Sequence, residues 1–371
     1  MKLNFLALLC MAVLCTILAL GLWPFHSPAN EVSWLQTHNG LHFGKYGTVF
    51  SSRPFPSTNP RNSQEATVEI WLHPRRIWDS GTFLAFYSPG NLFQFSLRQS
   101  QTDLLLRTQT PDDTHHPKTA NLYVEEVFRK TQPVFLTVTS GKAACIYADG
   151  VLVATNPHFP LSAREFSGRL IVGDSPGQND SWSGQLLGLA IYNRQLTANE
   201  VFHHYTAWIQ NGRPELIDEE HNIALYVFDE HTGSVVRNKV PSGVDLNIPE
   251  RYQVLDKIAL EPFWTEFSMS RSYWGAAIKN IVGFLPFGFC FYPYLAILLP
   301  NKRPALLTVV LGTTVSLTIE VLQAFLPTRE SGTSDLITNT IGTWMGVASY
   351  RFLSPILVRS FPWLPFPAPR E

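Results

Sequence analysis

The chain has 371 residues and a formal net charge of −1, with 15% charged and 45% hydrophobic residues. That balance excludes electrostatic attraction to nucleic acid as a working principle, and the length leaves room for two or three domains. Charged residues fall well below the soluble norm of about 25%, and the apolar excess lies at the two ends of the chain.

The run from Leu3 to Leu22 carries no charge. At about 20 residues it is long enough to cross a bilayer core of ~30 Å. Only Lys2 precedes it. A cleavable signal peptide is the competing reading. The run exceeds a usual signal core and no A-x-A site follows, so residues 1–23 read as an uncleaved signal-anchor helix. A lipoprotein signal at Leu14-Cys15 is rejected, because a bulky Leu precedes the Cys and the run stays apolar through Leu22. Of the four cysteines, Cys10, Cys15 and Cys290 sit in apolar runs and Cys145 in an alternating one. None has zinc or redox spacing, and buried thiols are expected.

After a tether at 24–37, residues 38–257 read as β-rich and extracytoplasmic. "ATVEIWLHP" alternates Val68, Ile70 and Leu72 against Thr67, Glu69 and Trp71, the pattern of a half-buried strand. "VFLTVTSGKAACIYADGVLVATN" contains two such runs joined at Ala148-Asp149-Gly150, and Asp-Gly is a strong hairpin signal. "NLFQFSLRQ", "TDLLLRTQ" and "GRLIVGD" add further short strands, which together argue a sandwich or jelly roll. One helix intrudes at "TANEVFHHYTAW", opened by the Thr197/Glu200 capping box.

Several residues in this region have the chemistry of a site. Asp174, Asn179 and Asp180 follow "GRLIVG" in a loop whose oxygens could hold Ca²⁺; a polar loop is the plainer alternative. His115-His116 and His203-His204 are sequence neighbours, which diverge in direction on helix or strand and so do not make a metal pair. "DEEHN" at 218–222 reads as a solvated turn. Trp182 reads as packing, with sugar stacking as its alternative. No E-x-D-x-E carboxylate ladder of a glycosidase is present, nor a Ser-His-Asp order, phosphate loop or dinucleotide fingerprint.

Three stretches, "TVEIWLHP", "FLTVTSGKAACIYADGVLVAT" and "GRLIVGDSPGQNDSWSGQLLGLAIYNRQLTANEV", resemble the laminin-G-like, concanavalin-A-like lectin superfamily from about 60 to 208. The resemblance implies a jelly-roll sandwich that binds glycan or envelope polymer. One departure is that "LYVFDEHTGSVVRNK", residues 225–239, looks like the family's first strand yet follows its last. A permuted sandwich is therefore expected, with this segment returning beside "GLHFGKYGTVF".

A second tether, 258–272, leads to three more spans at 273–299, 305–326 and 335–350. They make up a bundle region of 273–358, with a cytoplasmic tail at 359–371. The "PNKRP" link carries Lys302 and Arg303. The positive-inside rule puts that link, Lys2 and the Arg351/Arg359/Arg370 end in the cytoplasm, and residues 24–270 outside. The fold class expected is thus a multidomain membrane protein, an all-β jelly-roll sandwich plus a transmembrane bundle of about four helices.

Polar residues interrupt these spans. Asn280 lies about seven residues into its span, or ~10 Å at 1.5 Å per residue, and Glu320 and Asn339 fall at similar depth in theirs. Glu320 and Gln323 share a helix face, as do Asp335, Asn339, Gly342 and Gly346, with Arg329 in the intervening turn. Small residues let helices approach closely, and Pro286, flanked by Gly283 and Gly288, should loosen its helix. Interhelical polar bonds that set register are one use for such residues. Ionisable groups at this depth favour a binding pocket of Asn280, Glu320, Gln323, Arg329, Asp335 and Asn339.

"KNIVGFLPFGF" followed by "EVLQAFLPTRESGTSDLITNTIGTWMG" resembles the VanZ-like family of small integral membrane proteins. Asn280, Phe284, Pro286 and Gly288 fill its first motif. Glu320, Gln323, Phe325, Pro327 and Arg329 fill the second, and Asp335, Asn339, Gly342 and Gly346 the third. An acidic residue usual one turn before the Asn is replaced by Ala276 or Ala277. The family is named for association with teicoplanin resistance, and no reaction is established for it.

The expected function is that of an envelope membrane protein, of a bacterial cytoplasmic-membrane kind. Its sandwich binds glycan or envelope polymer and its bundle presents a polar pocket. No catalytic residue is assigned and no cofactor is required, apart from the candidate Ca²⁺. The lipid bilayer is a partner, nucleic acid is not. A rival function is enzymatic, with Glu320 as base on a lipid-linked substrate and Arg329 holding its phosphate or carboxylate. A third makes the sandwich a protein-interaction module on a passive anchor.

Overall fold

The computed structural model describes residues 2–56, 65–110, 118–159, 161–177, 179–214, 221–269, 271–300 and 302–360. His115, His116, residues 218–220 of the expected solvated turn and the tail beyond 360 lie outside them. The helices are α1 (Lys2–Leu22), α2 (Ala198–Asn211), α3 (Phe263–Glu266), α4 (Arg271–Leu298), α5 (Pro304–Gln323) and α6 (Thr333–Ser360). The chain forms two units: Pro28–Asp256, which holds α2 and all the strands, and Met1–Ser27 with Lys257–Glu371, which holds the other helices.

The first unit is a sandwich of two antiparallel sheets. One sheet contains β1 (Val32–Trp34), β2 (Leu41–Phe43), β4 (Ala66–Pro74), β9 (Val134–Ser140), β10 (Ala144–Ala148), β11 (Val151–Asn156), β13 (Gly184–Tyr192) and β14 (Asn222–Tyr226). Its order is β1-β2-β13-β4-β9-β10-β11, with β14 also on β13. The other contains β3 (Val49–Ser51), β5 (Ser80–Ser88), β6 (Asn91–Ser100), β7 (Asp103–Thr110), β8 (Lys118–Val124), β12 (Arg169–Val172), β15 (Val235–Val236) and β16 (Leu246–Asn247). Its order is β15-β16-β3-β12-β5-β6-β7-β8. Val68, Ile70 and Leu72 of β4 meet Leu84, Phe86 and Leu97 of the other sheet in a continuous core, as the alternation requires. The hairpin expected at Asp149-Gly150 joins β10 to β11, and both residues have positive φ, 52° and 77°. A tight two-residue loop needs this to match the strand twist.

β4 is not half-buried. Glu69 is 0% exposed, because α2 covers the face that the alternation leaves to solvent. The α2 helix starts at the expected Thr197/Glu200 capping box and ends at left-handed Gly212. It presses Val201 and Trp208 onto Phe135, Tyr147, Tyr192 and Leu225. The close approach depends on Gly188, where a Cβ would lie 2.4 Å from the Trp208 ring.

The permuted closure takes a specific form. β14 pairs with Leu189–Tyr192 of β13, on the edge whose other end, Gly184–Leu186, pairs with β2. The β15–β16 hairpin then lies beside β3. The entry and exit of this unit adjoin: Ala29 bridges Arg251, and Asn30 N donates to Glu250 O. Adjacent ends are what allow a domain to be inserted within another unit. Residues 28–37 are therefore sandwich rather than tether, since β1 pairs with β2 through Val32, Ser33 and Trp34.

In the helical unit, α1, α4 and α5 are long and apolar enough to cross a membrane. Their outward side chains are large and apolar, among them Leu8, Met11, Val282, Val310 and Leu322. α6 makes up the expected group of four but falls short of that apolarity, because Gly, Thr and Asn replace large residues on its packed side. Gly342 and Gly346 face α4, where added Cβ atoms would meet Ile281 O at 2.3 Å and Leu285 O at 2.1 Å. Gly288 faces α6, where a Cβ would clash with Thr343 O. The expected small-residue face is a contact between backbones. Pro286 stands inside a continuous α4; its missing N–H leaves the Val282 carbonyl without an intrahelical donor. α5 ends at Gln323, three residues before the expected boundary, and α6 continues past 350 to Ser360. Residues 258–272 are no free tether: Glu261 bridges Gly332, and α3 and the start of α4 follow.

Candidate functional site

The polar residues of the bundle converge. Asn280, Glu320, Gln323, Arg329, Asp335 and Asn339 all line one cavity of about 250 Å³, with Lys279, Gly283, Phe284 and Ile319 and with Ile17, Leu20 and Gly21 of α1. Glu320, 1% exposed, stands in the last turn of α5. The following loop folds back so that Gly332 N donates to its Oε2 (2.9 Å) and the Ser331 hydroxyl donates to its carbonyl (2.8 Å). Asn339 Nδ2 donates to Ser316 Oγ (2.9 Å), and the Asn280 side chain hydrogen-bonds Asp335.

Other groups tie the helix ends together. Gln323 Nε2 donates to Gly21 O (2.8 Å). Arg329 donates from Nε to Trp23 O (2.8 Å) and from Nη2 to Leu20 O (3.0 Å). These carbonyls lie at the end of α1, where no intrahelical donor reaches. Arg329 is thus engaged in holding α1, which weakens the role of anion holder that the enzymatic rival gives it. Lys257 does the same for α5, donating to Gln323 O (2.5 Å) and to Leu326 O. Burial pulls its ammonium down to about 8, against the carboxylates of Glu330 and Glu320. Glu266 accepts from Ser334 N (2.9 Å) and lies within electrostatic reach of Glu320 and Asp335.

The sandwich candidates are internally satisfied. Asp174 Oδ1 accepts from the backbones of Ser175 and Asp180, and its Oδ2 from Tyr252 Oη at 2.5 Å. Asp180 is bound through both oxygens by Arg98, at 2.9 and 3.0 Å. Asn179 Oδ1 lies 3.0 Å from Tyr252 Oη and 3.3 Å from Ser181 Oγ, hydroxyls whose single protons have nearer acceptors in Asp174 and Lys45 O. The three do not fit a Ca²⁺ site, because a cation would have to displace Arg98 and Tyr252 from the oxygens it needs. Trp182 is a core residue, 1% exposed, donating from Nε1 to Gln99 Oε1 (2.8 Å); it offers no face to a sugar. His204 is buried against Glu69 while His203 is exposed, so this pair diverges as expected. Among the described residues no group of three His, Cys, Asp or Glu could hold a metal. A concavity of about 670 Å³ does open on this unit, lined by Asn39, Asn211, Arg213, Asp229 and Lys239 and by Gly212, Pro214, Leu225 and Val227.

Burial pushes the Asp174 carboxyl up to about 7, although Tyr252, Ser175 and Asp180 donate to its ionised form. The folded value lies above the ordinary 3.8. Its contribution to stability is therefore full below about pH 4 and lost as the pH rises towards 7. Asp174→Asn is expected to flatten the fall in thermal midpoint between pH 4 and 7 relative to the native chain. Parallel pH profiles for the two proteins would show that Asp174 ionises freely in the fold.

Residues 223–354 match the VanZ/LLP1 family, and residues 48–202 match the concanavalin A-like lectin/glucanases superfamily. The chain joins a VanZ-family region to a concanavalin-A-like domain. Among solved structures, a SAP-like pentraxin from Limulus polyphemus is 16% identical over 60% of this chain and 95% of its own, with a TM-score of 0.36. A Bacteroides ovatus protein described as carbohydrate-binding is 11% identical over 57% and 58%, at 0.37. The binding domain of Paraclostridial Mosquitocidal Protein 1 is 12% identical over 49% and 47%, at 0.37. No curated protein matches the chain. The VanZ match begins at β14, well before α4, and so takes in the segment from Lys257 to Glu266. That segment supplies Lys257, taken from the sequence as the last residue of the sandwich, and Glu266, taken as part of a tether. It also bears on the acid missing at Ala276 or Ala277, since Glu266 places a carboxylate near Asp335 from a different element. Lys279, one residue before the VanZ-type Asn280, was legible as the one cation between Arg271 and Lys302.

Proposed function

We propose that the protein is a multi-pass envelope membrane protein whose VanZ-like region holds the polar head of a lipid or lipid-linked ligand. Its concanavalin-A-like domain, on the extracytoplasmic side, binds glycan or envelope polymer. The observation that carries the first half is the convergence of six polar residues from α4, α5, α6 and the α5–α6 loop on one cavity. Polar side chains within apolar helices are costly unless they face a partner or a cavity. The second half is supported by the lectin-superfamily match. The resistance association of the VanZ name would follow if the lipid-linked ligand is an envelope precursor.

The full chain, extracted from its own membrane in mild detergent, is expected to carry a bound lipid-class molecule visible by native mass spectrometry. Glu320→Gln keeps the shape and an oxygen for Gly332 N. It should lower that occupancy about tenfold, equivalent to about 1.4 kcal/mol, without altering abundance or insertion. Equal occupancy in both proteins, or none in the native chain, overturns the head-group site. The same micelles on a glycan array test the lectin half independently; no retained glycan removes it.

A further inference from the structure

The cavity is unevenly supplied with donors and acceptors. Gln323 is 8% exposed, and its Oε1 is buried with no hydrogen-bond partner among the described residues. Its amide orientation is set by Nε2, which faces the Gly21 carbonyl; a flip would place oxygen against oxygen. Asn339, 5% exposed, meets the Ser316 hydroxyl, which can accept from Nδ2 or donate to Oδ1, so its amide orientation is not fixed as that of Gln323 is. Two carboxylates, Glu320 and Asp335, line the same space. Arg329 is held on the carbonyls of α1. Lys279, exposed at the cavity, is the remaining cation of the lining.

A buried acceptor without a donor is costly and calls for a partner, and at the wall of a cavity a ligand can supply it. We infer that the cavity takes a head group that donates hydrogen bonds, a primary ammonium or sugar hydroxyls, rather than an anion. This deepens the head-group reading above and depends on it. An ammonium finds an acceptor in Gln323 Oε1 and further carboxyl oxygens in Glu320 and Asp335. A phosphate carried by the same head group would find Lys279.

The test uses the full chain in nanodiscs. Phosphatidylethanolamine, phosphatidylcholine and monoglucosyl-diacylglycerol are matched in acyl chains and compete at equal mole fraction. The choline lipid replaces the three N–H donors by methyls and leaves the phosphate unchanged, so that pair isolates donation. Native mass spectrometry of the released complexes should show the ethanolamine lipid, the glucolipid or both retained about tenfold over the choline lipid. Which of the two leads separates ammonium from hydroxyl. Gln323→Met should bring the ratio towards one, and the native-chain ratio stands as the test if that variant fails to fold. Equal retention of all three overturns donor recognition while leaving a head-group site; retention of none overturns the site itself.

Discussion

Gly346→Leu is expected to abolish stable assembly of the helical unit. A Cβ at this position would lie 2.1 Å from Leu285 O and 2.8 Å from Phe289 N, and all three nearest atoms belong to the backbone of α4. Backbone cannot rotate away as a side chain can, so α4 and α6 must separate, and overpacking of this kind costs about 3 kcal/mol or more. Separation also opens the cavity, since Asn280 and Asn339 sit on the two helices that part. The expected readout is a large loss of monodisperse protein in detergent and a sharply lower thermal midpoint. Gly275→Ala is the control: nothing lies within 4 Å of its added methyl, and alanine favours a helix over glycine by about 1 kcal/mol. If the Gly346 variant unfolds at the native temperature, the two backbones are not in contact and the close packing is wrong.

Glu69→Leu should cost the sandwich about 3–5 kcal/mol, the range for removing one partner from a buried charged network. Glu69 accepts from Tyr192 Oη at 2.9 Å and from Trp208 Nε1 at 3.3 Å, and His204 Nδ1 lies 2.9 Å from its other oxygen. Leucine fills much of the same volume but strands three polar groups in a site sealed by α2. Burial and the neighbouring Glu69 carboxylate already push the Tyr192 phenol well up, so neither ionisation nor water offers it relief. Glu69→Gln retains acceptor capacity and should cost about 1–2 kcal/mol. Thermal unfolding of the three proteins checks the order native, Gln, Leu. A Leu variant as stable as the Gln variant would mean that these hydrogen bonds add nothing to the docking of α2.

Much of the bundle was legible because membrane helices expose their logic in sequence. A polar residue inside an apolar run has few neutral explanations, and helical period then assigns Glu320 with Gln323 and Asn339 with Gly342 to shared faces. The structure puts all six named residues on one cavity. What period could not supply was each residue's partner. Arg329 was expected at the pocket, and it both lines the cavity and binds the end of α1. Lys257 fell at the end of the expected sandwich and Glu266 in a presumed tether, because no spacing rule connects residue 257 with a helix end at residue 323.

The sandwich shows the same division. Strand alternation, the Asp149-Gly150 turn and the Thr197/Glu200 cap follow from local chemistry, and each is present. Alternation also placed Glu69 in solvent, a result that holds only for a sheet with one open face. The pairing of Trp208 with His204 at i and i+4 was the available sign that α2 had a face to bury, and nothing local said where. The loop oxygens of Asp174, Asn179 and Asp180 have the composition of a cation site, yet Arg98 and Tyr252 occupy them from about 80 residues away in each direction.

The sequence by itself thus determined element type, turn and cap positions and which faces carry polarity, since these depend on neighbours within a few residues. Only the tertiary structure decided whether each polar group is satisfied. Hydrogen bonds reach about 3 Å, and the partners that meet them at Glu69, Arg329 and Asp174 come from distant points of the chain. Gln323 is the residue where the two kinds of knowledge meet: its place in the apolar run singled it out, and only the fold shows that its Nε2 meets Gly21 O while its Oε1 has no partner among the described residues.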